Sequence, residues 1–516
     1  MQYSTQASLV SGGTSLRSLQ LIWRSPLSII PKAIALILIV FDNTMASSDL
    51  FNSQTNLTAP KLTLLTMFRL GLFQMGLGIM AVLTLGVLNR IMIDELKVPA
   101  IVAAGTIAMH QFIAPARVWF GQRSDSKPLY GYHRTGYVWI GSVLFAIASF
   151  LAVQVIWQLG SSLQSGWTMQ TYGLVVLLGL VFALYGLAIS ASSTPFAALL
   201  VDVSEEDNRS KLVGIVWSML MVGIIVGAII SSTLLKQIAL DAPLELLQSS
   251  VNRLFLIVPV AVVGLAFIAT VGVEKKYSQY ATRSQLVNRE DSITLGRALR
   301  VLTANRQTGI FFTFLLVMTI SLFMQEAVLE PYGGEVFGMT IAQTTKLNAF
   351  WGTGTLIGMS TTGFLIVPRL GKQKTAQIGC IAVSATFGLI ILAGLTANPQ
   401  VLHGALLIFG LASGVTTTGA ISLMLDLTAA ETAGTFIGAW GLSQAMARGI
   451  ATVTGGAVLQ LGKSMFTAPV LSYGLVFGLQ SVGMLLAVVC LQRVNVAEFQ
   501  TKTRNAISSV LKGELD

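Results

Sequence analysis

Long stretches of this chain carry no charge, and that constrains its fold more than any other feature. Charge-free runs cover residues 70–88, 98–116, 212–235, 254–273, 307–325, 347–368 and 464–492. Each is close to one membrane span, since hydrocarbon about 30 Å thick is crossed by roughly 20 helical residues whose amides are all satisfied internally. The runs 135–201 and 375–425 are each long enough for two spans, divided by polar stretches at 160–165 and 398–403. A further stretch, 432–461, is interrupted only by Arg448. The pattern predicts an all-α polytopic membrane protein of about twelve transmembrane helices. Composition agrees: with 53% apolar and 10% charged residues, the chain has too little polar surface to cover a soluble globule.

The net charge of +10 is explained by topology before it suggests nucleic acid, and no nucleic-acid partner is expected. An even number of spans puts both termini on one face. The segments on that face then hold 25 of the 32 Lys and Arg residues, while the opposite face holds six and Arg448 stands alone within a span. By the positive-inside bias, both termini are expected to be cytoplasmic. Cys380 and Cys490 both lie in apolar runs, so neither a disulfide framework nor a clustered metal site is expected.

Five segments follow. Residues 1–66 form a polar extension whose apolar patch, 33–41, is too short to span a bilayer; a signal segment ending near Ala46 is the alternative to an interfacial or disordered arm. Residues 67–273 and 307–492 are the two six-helix halves. The basic linker 274–306 separates them, and residues 493–516 form a tail. An internal repeat supports the division. Asp202 precedes Gly214 by the same twelve residues as Asp426 precedes Gly438, so spans four and five correspond to spans ten and eleven. Duplicated halves around a central cavity are a transporter architecture. Asp202, Arg209 and Asp426 mark the repeated loop.

After span two come Gly121, Arg123 and Asp125, then Tyr132, His133 and Arg134 before span three. This resembles the loop motif of the major facilitator superfamily, with Ser126 where a basic residue usually follows the aspartate. Glycine lets two helix ends approach closely, and the aspartate suits a helix N-terminus or a basic partner, so a gating role is expected for Gly121, Arg123, Asp125 and Arg134.

Three longer strings are more specific: Leu88-Asn89-Arg90 through Asp94-Glu95 to Val98-Pro99-Ala100; His110 through Pro115 to Arg117; and Gln325-Glu326 through Glu330-Pro331-Tyr332-Gly333-Gly334 to Met339. Together they resemble the PucC and LhaA family, the bacteriochlorophyll delivery branch of the major facilitator superfamily. The resemblance covers roughly residues 62–495, with Gly136 where proline would be expected. It implies assembly of light-harvesting complexes, chlorophyll or a related chlorin as the molecule bound or delivered, antenna or photosystem subunits as partners, and a thylakoid or cytoplasmic membrane as the location.

Several polar residues stand out in apolar surroundings: Asn89, Arg90, Gln325, Glu326, Glu330 and Arg448. The Glu330-Pro331-Tyr332-Gly333-Gly334 string reads as a helix stop, with Glu326 and Glu330 repelling one another on one face of the helix end. Arg448 costs a few kcal/mol unless compensated. Its repeat counterpart is Ile224, so the shared fold does not require a cation there. An ion pair with a carboxylate and a cavity-facing functional cation both remain open. His110, within span two, either bonds a neighbouring helix or ligates a chlorin magnesium. No phosphate loop, metalloprotease motif or nucleophile elbow occurs, and no enzymatic turnover is expected. Two functions follow: pigment delivery or complex assembly, which the resemblance favours, and proton-coupled transport of a small solute by alternating access.

Overall fold

The computed structural model describes residues 62–204, 206–236, 243–278, 306–426 and 433–495. All lie within one compact unit, residues 59–516. Most of the N-terminal extension, the linker and the tail lies outside the described residues.

The first half contains α1 (Leu64–Glu95), α2 (Ala100–Phe112), α3 (Ala116–Ser126), α4 (Thr135–Gln164), α5 (Met169–Val203), α6 (Glu206–Leu234) and α7 (Leu244–Thr270). The second contains α8 (Arg306–Phe323), α9 (Leu329–Phe337), α10 (Ile341–Thr361), α11 (Lys372–Thr396), α12 (Pro399–Asp426), α13 (Ala433–Met465) and α14 (Pro469–Gln492). Nine helices among the described residues are long and apolar enough to cross a membrane. The three that complete the expected twelve, α2, α10 and α13, are short or carry polar residues such as Lys346, Asn348 and Arg448.

Packing explains that difference. In the first half α1 packs on α6 and α7, α2 on α5, and α4 on α5 and α7. In the second, α8 packs on α13 and α14, α10 on α12, and α11 on α12 and α14, which is the same pattern six spans later. The halves meet where α2 lies on α13 and α10 on α6, again related by the repeat. Helices between the halves face protein and therefore need less apolar surface than those facing lipid.

Local chemistry sets the boundaries. Thr63 caps α1 by accepting from the Thr66 amide, and Thr340 with Gln343 forms a reciprocal capping box at the start of α10. Three spans differ from the sequence reading. The second stops at Phe112 and not near residue 116, since the chain breaks at Ile113–Pro115 before α3. The first does not end near residue 88: the helix continues to Glu95 through two wide turns, Val82–Val87 and Ile91–Glu95. These π-helical turns shift its far end around the axis, a distortion associated with functional sites. Nor is the Glu330-Pro331-Tyr332-Gly333-Gly334 string a stop. Span seven breaks earlier, in the 3-10 turn Met324–Ala327, and the string forms the start and middle of α9. Pro331 is the third residue of that helix, where no intrahelical N–H bond is lost. The chain turns instead at Gly338, whose φ of 62° suits glycine.

Candidate functional site

Two of the distinctive strings meet. The Arg90 guanidinium, at the far end of α1, is 1% exposed and reaches into the second half. Its Nη1 donates to the Thr340 carbonyl at 3.0 Å and to the Thr344 hydroxyl at 2.5 Å, and its Nη2 donates to the Met339 carbonyl at 2.7 Å. Asp94 Oδ2 stands 3.5 Å from Arg90 Nε, a charge contact without a hydrogen bond, and Glu95 lies 4.0 Å from Nη2. Beside it, Asn89 Nδ2 donates to the Ala327 carbonyl at 2.6 Å, in the break between α8 and α9. One side of the bundle is thus clasped by a buried cation bonded to three acceptors in the other half.

The α9 helix is held against this clasp. Tyr332 donates to the Ile390 carbonyl at 2.8 Å and packs its ring 5.3 Å from Tyr473 and 5.0 Å from Phe477. Glu330 accepts from Asn348 Nδ2 at 2.6 Å and from the Thr345 hydroxyl at 3.4 Å. Gly86 makes room for that carboxylate, since a Cβ there would overlap Glu330 Oε1. Glu326 and Glu330 do not share a helix face as expected, because the backbone break at Met324–Ala327 and Val328 falls between them. Around the same end, Lys463 pairs with Glu335 at 2.5 Å, and Gln460 accepts from the Ala100 amide at 3.1 Å, satisfying the first turn of α2 from the opposite half.

A second cluster lies along the α2–α13 seam and at the end of α8. The Arg448 guanidinium carbon sits 3.8 Å from the centre of the Phe323 ring, close enough for cation–π attraction. Its Nε is buried without a hydrogen-bond partner. It forms no ion pair among the described residues, although Glu326 is within electrostatic reach. Arg117, at the start of α3, also buries an unpartnered Nε and lies within reach of Arg448. The charge count on the sequence put Arg117 in a solvated loop; after the break at Ile113–Pro115 it is instead half-buried, with its Nε enclosed. His110 stands within reach of both cations. Its Nδ1 lies 2.5 Å from the Ile107 carbonyl, so Nδ1 carries the proton and Nε2 keeps its lone pair. Gln325 is buried with an unpartnered Oε1.

The third cluster ties the α3–α4 loop to its own half. Arg134 pairs with Asp202 at 2.9 Å and donates to Ser124 Oγ at 2.6 Å, which in turn donates to the Gly121 carbonyl. Glu274 accepts from the His133 and Thr135 amides at 2.6 and 2.7 Å, capping α4. The exposed Arg123 lies over Trp119. The side chains of Asp125, Arg209 and Asp426 lie outside the described residues. Asp94 and Arg117 appeared in the sequence only as members of the longer strings and Glu274 only as the start of the linker, none with a role of its own. Of these, only Arg117 had a local signal, the proline two residues before it.

Two six-helix halves with this packing define a polytopic membrane protein of the major facilitator type. Solved structures agree on the fold. The chain superimposes on a point mutant of the nucleoside transporter NupG with a TM-score of 0.62 at 15% identity, covering 83% of this chain and 99% of that one. It superimposes on the inward-open xylose transporter XylE from E. coli with a TM-score of 0.59 at 14% identity, covering 85% and 98%. A family model described as PUCC protein matches residues 87–499, and the chain belongs to that family. It is 29% identical over 459 residues to the bacteriochlorophyll synthase 44.5 kDa chain of Rhodobacter capsulatus, covering 87% of this chain and 99% of that protein. It is 26% identical to protein PucC of the same organism, covering 84% and 93%.

Proposed function

We propose that this protein is an assembly or pigment-delivery factor for chlorophyll-binding light-harvesting or photosystem proteins, working in a thylakoid or cytoplasmic membrane without enzymatic turnover. The observation that carries this reading is the family match across residues 87–499, joined by full-length relatives named for bacteriochlorophyll synthase and PucC. The donor chemistry of His110 supports it. A neutral imidazole with a free Nε2, oriented through Nδ1, is a suitable axial ligand for a chlorin magnesium. Arg448 is a cavity-facing cation in this reading, and the loop of Gly121, Arg123, Asp125 and Arg134 biases the conformation of the halves.

The test is purification in mild detergent, with an absorbance spectrum and identification of co-purifying subunits. Stoichiometric chlorin accompanied by antenna or photosystem subunits is the expected result, with the pigment spectrum altered in His110→Leu. A colourless protein that drives solute uptake into vesicles would overturn this reading in favour of proton-coupled transport. Both termini and the 274–306 linker are proposed to face the cytoplasm, or the stroma in a thylakoid. Protease cleavage of that linker from the other face alone would reverse this topology.

A further inference from the structure

The two halves meet at two seams related by the internal repeat, and the seams are built from opposite chemistry. Where α6 meets α10, Ile224 and Ile225 close on Gly352, and Ile224 belongs to an apolar cluster with Val82 and Ala228, against which Trp351 packs. At the other seam the residue equivalent to Ile224 is Arg448, next to Gly449, which packs on Phe112 and Gln111 of α2. Arg117, at the start of α3, lies within electrostatic reach of Arg448. Among the described residues neither guanidinium donates a hydrogen bond or forms an ion pair, and each buries an unpartnered Nε. Among the described residues Glu326 is the carboxylate within reach of Arg448, and Arg117 is a second cation near Arg448.

Two guanidinia held near one another repel, and the partial burial of both residues, complete at each Nε, weakens the screening by water. A fold that needed only to close this seam has a working solution in the isoleucines of its other half. The arginines therefore serve a ligand that supplies the missing negative charge. Guanidinium pairs match planar oxyanions through forked donors, carboxylates and phosphates above all. The surroundings narrow the choice. Phe323 offers a flat apolar face beside Arg448, and His110 Nε2 offers a lone pair within reach of both cations.

We infer that Arg117 and Arg448 form an anion-binding site between the halves for the carboxylate of an unesterified chlorin, whose magnesium faces His110. This rests on the pigment-handling reading above and adds to it the charge state of the cargo. The esterified pigment lacks the free carboxylate and leaves both guanidinia unpaired. A headgroup phosphate of an anionic lipid shares the oxyanion chemistry but brings no metal for His110.

The experiment titrates the full-length protein, in phosphatidylcholine nanodiscs, with chlorophyllide a and separately with chlorophyll a, reading pigment fluorescence and the absorbance shift. Wild type is expected to bind chlorophyllide roughly tenfold or more tightly than chlorophyll, the value of one charge-assisted hydrogen-bond set. Arg117→Gln with Arg448→Gln should abolish that preference while changing chlorophyll binding less than about twofold, and the lysine pair should restore part of it. Size-exclusion profiles and melting curves of each variant establish that it is folded. Equal binding of both pigments, unaffected by the glutamines, would overturn the site and leave pigment handling standing. Failure of both pigments to bind would overturn the site and the pigment-handling reading together. Loss of the chlorophyllide preference when phosphatidylglycerol replaces phosphatidylcholine would assign the arginines to lipid and overturn the chlorin carboxylate.

Discussion

Arg90 and Arg448 are both guanidinia set within the helix bundle, yet their surroundings are opposite. Arg90 is bonded to two carbonyls and a hydroxyl of the other half, with Asp94 alongside. Arg448 has a phenyl ring and no hydrogen bond from its guanidinium among the described residues. A buried cation whose donors are used is part of the fold, because removing it strands its partners. One whose donors are unused adds cost to the fold and becomes useful only when something binds. The contrast separates a structural clasp at one end of the bundle from the proposed ligand site along the seam.

The comparison breaks most visibly at the clasp. Arg90→Leu leaves Asp94 buried without its cation and the Met339 carbonyl without its donor, and should cost about 3–5 kcal/mol. A large fall in melting temperature in detergent, partly recovered when Asp94→Asn is added, is the expected result. An unchanged melting curve would mean the clasp does not hold the halves together. Next in size is Gly86→Ala, which puts a methyl into the position of the Glu330 carboxylate. Overpacking of this kind costs roughly 1–3 kcal/mol, and a thermal shift smaller than that of Arg90→Leu checks it.

At the seam the sign differs. Arg448→Leu removes a desolvation penalty and should leave folded abundance equal or slightly raised, with accumulation of pigment-protein complexes lost. Normal complexes in cells carrying only this substitution would show that the arginine is tolerated and unused, and a marked loss of folded protein would make it structural like Arg90. The smallest expected effect is at the α3–α4 loop. Asp125→Asn should shift the accessibility of the two faces to cysteine labelling while leaving the spectrum of bound pigment unchanged. Indifferent labelling would remove the gating role.

The existence of most spans, the twofold repeat and the membrane class were legible in the sequence because they rest on local hydrophobicity and on a fixed offset between copies, which require no knowledge of neighbours. The distinctive strings were legible too, and so was the oddity of Arg448 in an apolar run. What could not be read was partnership. Asn89 and Ala327 are 238 residues apart, and Arg90 and Thr344 are 254 apart. Nothing in either string says that they touch. The Glu330-Pro331-Tyr332-Gly333-Gly334 string misled for the same reason. Proline and paired glycines favour a turn in isolation, but at the start of a helix the proline costs nothing, and Tyr332 bonded to Ile390 holds that helix in place. Arg117 looked like one more basic loop residue, whereas after the break at Ile113–Pro115 it is half-buried within electrostatic reach of Arg448. Sequence alone determined which segments enter the membrane, since that depends on the transfer free energy of each segment by itself. Tertiary structure decided which buried charges are satisfied, since that depends on where distant segments bring their donors and acceptors together.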